Sequence, residues 1–66
     1  MQIIINGELH NTAGPLTILG LLHSLEIDPE RVAIELDRQI VKAKNWDSTL
    51  LAPGAQLEIV QFVGGG

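Results

Sequence analysis

Few residues in this 66-residue chain have the chemistry for a reaction, and the most distinctive group is not a side chain. Gly64-Gly65-Gly66 directly follows an apolar stretch, so the Gly66 carboxylate is presented with no Cβ around it. Glycine reaches backbone angles closed to other residues, so such an end can thread a narrow channel while its carbonyl stays open to attack. Taken alone, a terminal glycine run also describes a frayed end.

The other candidates form no constellation. His10 falls on a predicted strand and His23 on a predicted helix, with no thiolate to accompany either, so no metal site is expected. Glu8, Glu35 and Glu58 have no nucleophile or base partner nearby in sequence and read as the wet face of a sheet. The absence of Cys rules out disulfides, thiolate nucleophiles and Cys-based zinc sites, and it fits a reducing compartment. No phosphate loop is present.

A chain of this length forms one domain with a thin core, hiding only about 60% of the surface exposed by the unfolded chain. Apolar residues make up 45% and aromatics 3%, so aliphatic side chains must fill that core. A deep substrate cleft would remove much of the interior, which counts against an independent enzyme. The net charge of −4 and only four cations, Arg31, Arg38, Lys42 and Lys44, exclude a nucleic-acid partner and favour a basic protein partner. No charged leader followed by an apolar stretch and no run long enough to span a bilayer is found, so a soluble, cytoplasmic protein without a membrane partner is expected.

The elements follow from local pattern. Gln2 to Asn6 reads as a strand with Ile3 and Ile5 on one face and Ile4 on the other, and Asn6-Gly7 as a tight hairpin turn. Glu8 to Ala13 returns as a second strand; a two-residue loop would set Leu9 beside Ile4, and a longer one would move it across to the side of Ile3 and Ile5. Thr17 caps a helix whose Ile18, Leu21, Leu22 and Leu25 share one face, each worth about 1.5 to 3 kcal/mol if buried. Gly20 weakens that helix unless packing there is close. Asp28-Pro29 makes a turn, Val32 to Leu36 a third strand, Asp37-Arg38 a second tight turn and Gln39 to Ala43 a short fourth strand. Asn45 to Ser48 reads as one helical turn capped by Asn45, with Leu50 and Leu51 closing the core below it. Pro53-Gly54 is the last turn, and Gln56 to Val63 the final strand, with Leu57 and Ile59 opposite Glu58, Val60 and Phe62. A single amphipathic helix across one face of a mixed sheet buries these stripes together, an α+β layer pair.

With these elements in place, the chain resembles the ubiquitin-like β-grasp sulfur carriers, specifically the ThiS-type family of thiamin biosynthesis. The resemblance rests on Met1-Gln2-Ile3-Ile4-Ile5-Asn6-Gly7-Glu8, on Leu16-Thr17-Ile18 followed by Leu21-Leu22, on Val32-Ala33-Ile34-Glu35-Leu36, and on Leu57-Glu58-Ile59-Val60-Gln61-Phe62-Val63-Gly64-Gly65-Gly66. Gly54-Ala55 stands where family members commonly carry Gly-Asp, and Asp37-Arg38 replaces an Asn-containing turn. The resemblance implies a mixed sheet of four to five strands on one main helix. It also implies a β-grasp domain over 1–63 and a flexible glycine tail over 64–66. It further implies that the chain is a co-substrate rather than an enzyme. An E1-like, ThiF-type adenylating enzyme using ATP and magnesium would convert the Gly66 carboxylate, next to Gly65, to an acyl-adenylate. Sulfur from a donor protein would then make a thiocarboxylate for a thiazole synthase of ThiG type. The chain itself would bind no cofactor. Phosphoryl activation suits the chemistry, because a carboxylate has no good leaving group until one is attached.

If the first and last strands are neighbours, as the β-grasp resemblance implies, Ile4, Val60 and Phe62 group on the face opposite the helix. An apolar group there, continued by Val63 and Gly64, reads as a partner site. The Arg38, Lys42 and Lys44 run is ordinarily a solvated face. Trp46 is either an interface anchor or a lid on the end of the core. The alternatives are the small subunit of molybdopterin synthase, a ubiquitin-like modifier joined to target lysines, and a structural module with an incidental tail.

Overall fold

The computed structural model describes residues 1–62. Two hairpins and one central strand build its sheet. β1 (Gln2–Ile5) turns through Asn6-Gly7 into β2 (Glu8–Asn11), pairing Ile5 with Glu8 and Ile4 with Leu9. Of the two registers open to the sequence, the two-residue loop is the one formed, with both turn residues at positive φ, 50° and 82°. Asn and Gly accept that region where most residues do not. β3 (Val32–Leu36) turns the same way through Asp37-Arg38, at φ 48° and 71°, into β4 (Gln39–Val41). β5 (Gln56–Gln61) lies between the hairpins, parallel to β1 and antiparallel to β3, giving the order β2-β1-β5-β3-β4. This is the five-stranded mixed sheet on one helix that the β-grasp resemblance implied.

The helix α1 (Ile18–Ser24) starts as the sequence indicates, with the Thr17 Oγ1 accepting a hydrogen bond from the Gly20 N–H at 3.0 Å. A Cβ on Gly20 would approach that oxygen to 3.3 Å, so the glycine answers to close packing at the cap. Ile18, Leu21 and Leu22 are buried against Ile3, Ile5, Val32, Ile34, Leu57 and Ile59 of the sheet. Leu25 does not join them. It is the C-cap residue, 38% exposed, because the helix ends at Ser24, one residue before it, and Glu26 swings to φ 58°.

Beyond the sheet's end the chain covers the core differently from its sequence pattern. The single helical turn is a 3-10 segment over Ala43–Asn45 with Lys42 at its start and no side-chain cap, rather than a turn over 45–48 capped by Asn45. Asn45 instead offers its carbonyl to the Ser48 and Thr49 hydroxyls. Trp46 is buried, and its indole N–H donates to the Val41 carbonyl at 2.8 Å, so it lids the core rather than anchoring a partner. Leu51 is buried beside it, whereas Leu50 is 66% exposed, because a bridge between Thr17 and Leu50 holds the backbone extended and alternation turns its side chain outward. The turn at Pro53-Gly54 closes with the Ala55 N–H on the Ala52 carbonyl and Gly54 at φ 83°. β2 and β4 stop at Asn11 and Val41, each two residues short of the sequence reading; β5 ends at Gln61 before Phe62, and Val63, the expected last strand residue, lies outside the described residues.

Candidate functional site

Of the predicted site residues, Val63, Gly64, Gly65 and Gly66 lie outside the described residues. The element that leads to them is defined in detail. β5 is the middle strand, and Phe62, the residue after it, continues the β3 ladder by donating its N–H to the Arg31 carbonyl at 2.8 Å. Backbone groups of the even-numbered β5 residues therefore face β3, and those of the odd-numbered residues face β1.

On the β1 side the partner strand is short. Ile4 and Asn6 donate to the carbonyls of Ala55 and Leu57, both at 2.8 Å, and β1 then turns away. The next β5 unit, Ile59, is met by a side chain instead of a strand. The Asn6 Oδ1 accepts from the Ile59 N–H at 2.8 Å, and the Asn6 Nδ2 donates to the Ile59 carbonyl at 3.2 Å. A recess of about 280 Å³ opens beside this contact, lined by Ile5, Asn6, Leu25, Ile27, Ile59 and Gln61. Leu25, missing from the core, forms part of its wall.

The face of the sheet away from α1 carries the docking candidates. Val60 and Phe62 are 58% and 57% exposed. Ile4 is half-buried and does not sit with them. It is level with Gln56, four residues before Val60 along a parallel strand, a separation of about 13 Å. Its neighbour across the hairpin is the exposed Leu9. Val60 lies opposite Ala33 instead, and a shallow depression joins Val60, Ala33 and Ile40 across β5, β3 and β4. Ile40, 78% exposed, is a residue the sequence reading missed. Alternation along Gln39–Val41 with Val41 turned inward was its available signal. Between the two apolar groups, Glu35 and Glu58 face each other directly, with Ile40 opposite Glu35. Like charges so placed are mildly destabilising.

A groove of about 500 Å³ lies between β2 and α1, lined largely by apolar and backbone atoms with His10 as its one titratable residue. It holds no pairing of nucleophile with base. Among the described residues, no group of three or more His, Cys, Asp or Glu residues could hold a metal, and His10 and His23 stand on separate elements. No described helix is long and apolar enough to cross a membrane.

Comparison with known proteins gives these features a setting. The ThiS family model matches residues 3–66. The sulfur carrier protein ThiS of Escherichia coli is 29% identical over 66 residues, and the match covers the whole of both chains. A thiazole synthase of Magnetococcus marinus is 39% identical over the whole of this chain, which spans only 20% of that protein's length. The crystal structure of the thiamine biosynthesis protein ThiS from Geobacter metallireducens superposes with a TM-score of 0.86 at 29% identity, covering all of both chains. A family match over nearly every residue, carried by the same five-stranded sheet and single helix, means that this chain belongs to the ThiS family, the ubiquitin-like β-grasp sulfur carriers of thiamin biosynthesis.

Proposed function

We propose that this chain carries sulfur as a thiocarboxylate on Gly66, made by an E1-like, ThiF-type enzyme and delivered to a thiazole synthase of ThiG type. The observation that carries this reading is the course of β5. The middle strand of the sheet, hydrogen-bonded on both flanks, ends at Gln61 beside the exposed side chains of Val60 and Phe62, and in sequence only Val63 separates Phe62 from the three glycines. A rigid body thus leads into three residues with no side chains to obstruct an active-site channel.

Two balanced steps follow. A carboxylate oxygen of Gly66 attacks the α-phosphorus of ATP, held with magnesium by the partner, and pyrophosphate leaves. Hydrosulfide, supplied by a donor protein, then attacks the acyl carbon; the C–S bond forms and AMP departs. The chain contributes the acid, the access and the docking. Ordering the tail in the partner costs about 1 to 2 kcal/mol per residue. Contacts through Val60, Ile40 and Phe62 offset it. The similarity of this whole chain to a fifth of a thiazole synthase supports that enzyme class as the recipient, since covalent linkage raises the effective concentration of two modules that work together.

ATP–pyrophosphate exchange tests the first step. The full chain with a free Gly66 carboxylate should support exchange by the adenylating enzyme of its own organism, and the same chain with Gly66 amidated should support none. Equal exchange with both chains would place the reacting acid elsewhere.

A further inference from the structure

We propose that the Asn6 carboxamide is a positioning residue for the loading of Gly66, standing in for the peptide unit that β1 lacks beyond Ile5 and thereby fixing where β5 leaves the body. This rests on the reading in which Gly66 is adenylated.

The hydrogen bonds of Asn6 have the shape of a ladder rung. Its backbone N–H takes the Leu57 carbonyl, and its side chain then serves both groups of Ile59, accepting from the N–H and donating to the carbonyl. One residue covers two successive units of β5 from a hairpin turn 53 positions away in sequence. The turn itself does not need this side chain. At φ 50°, Gly or Asp would serve equally well. Only a carboxamide combines a donor and an acceptor at that reach.

The two flanks of β5 therefore do different work. On the β3 side, pairing from Leu36–Leu57 to Val32–Gln61 and the bond from Phe62 to Arg31 keep Val60 and Phe62 in place without Asn6. On the other side the Asn6 side chain makes the last hydrogen bonds to β5 among the described residues. Removing it leaves the end of β5 hinged on one ladder: Val60 and Phe62 keep their hydrogen-bonded register on β3, but the strand can swing about that ladder and carry the direction of the departing chain with it. A reacting group displaced by about 1 Å can lose about a hundredfold in rate. The loss should therefore appear in turnover and not in docking.

The test compares the full-length wild type with Asn6→Gly, which keeps the turn, and Asn6→Asp, which keeps only the acceptor. ATP–pyrophosphate exchange is measured with kcat and KM for the chain resolved, alongside amide hydrogen exchange at Ile59 and Val60. Asn6→Gly is expected to lower kcat about ten- to a hundredfold, with KM within about threefold of wild type. Ile59 should lose amide protection while Val60 keeps it, and Asn6→Asp should fall between the two chains. Should Asn6→Gly not fold, Asn6→Asp must still lower kcat by about threefold or more. A folded variant with wild-type kcat, or a loss wholly in KM, overturns the proposal. A wild type that supports no exchange overturns the adenylation reading itself and takes this proposal with it.

Discussion

The hairpin turns Asn6-Gly7 and Asp37-Arg38 are built alike and hold β5 from its two flanks, Asp37 at Gln56 and Asn6 at Leu57 and Ile59. Each places two residues at positive φ, and each lends its first side chain to the central strand. At the start of β5, Asp37 donates its own N–H to the Gln56 carbonyl and accepts the Gln56 N–H on Oδ1 at 3.0 Å. An acceptor is all that this contact requires of the side chain, so a carboxylate suffices. On the other flank, the backbone of Asn6 is already committed to Leu57, and its side chain must both accept from and donate to Ile59. The second positions differ too. Gly7 adopts φ 82° without cost, whereas Arg38 holds φ 71° against the clash of its Cβ. The turn nearest the tail is thus the one with unstrained backbone and a fully used side chain.

Substitutions can break or sharpen this contrast. The largest effect is expected for Leu57→Ala, since Leu57 is fully buried in β5 between the two turns. Urea titration should show a loss of about 2 to 5 kcal/mol, a large share of what so small a domain has. Retention of near-wild-type stability would mean that the two turn contacts on β5 are not held through a common core. Next comes Asn6→Gly, which removes two hydrogen bonds and should cost about 1 to 3 kcal/mol. Asp37→Asn keeps its acceptor and should stay within about 0.5 kcal/mol of wild type. Equal effects from these two changes would erase the distinction between the turns.

Arg38→Gly should raise stability by about 0.5 to 1 kcal/mol by relieving the left-handed backbone, measured as a higher urea midpoint. A fall instead would show that the Arg38 side chain makes up for its strain. The smallest change in stability, within about 0.5 kcal/mol, is expected for Phe62→Asp, because the side chain is mostly exposed. The same change should weaken binding to the adenylating enzyme about tenfold or more in calorimetry, as loss of an apolar anchor does. Undiminished binding would remove Phe62 from the docking face.

Local signals carried most of the fold. Asn-Gly between alternating strands, Thr17 ahead of Ile18, Leu21 and Leu22, and the alternation of Val32, Ile34 and Leu36 each act within a few residues, and each appears in the structure. Reading failed where nonlocal geometry decides. Leu25 keeps the helical spacing, but the helix has already ended; Leu50 is apolar, but a backbone bridge to Thr17 turns it outward. Alternation gave the correct outer face to Ile4 and Val60 but not the offset of the parallel strands, which separates them. The clamp of Asn6 on Ile59 spans 53 residues and leaves no local mark beyond a turn residue that also fits a hairpin.

The proposal that Gly66 carries the sulfur is tested most directly by intact mass. The full chain is incubated with ATP, magnesium, the ThiF-type enzyme and sulfide, then weighed whole and after digestion. Sulfur carriage predicts one oxygen replaced by sulfur, confined to the C-terminal peptide that ends at Gly66. An unmodified C-terminal peptide, under conditions that load an established carrier, would contradict it.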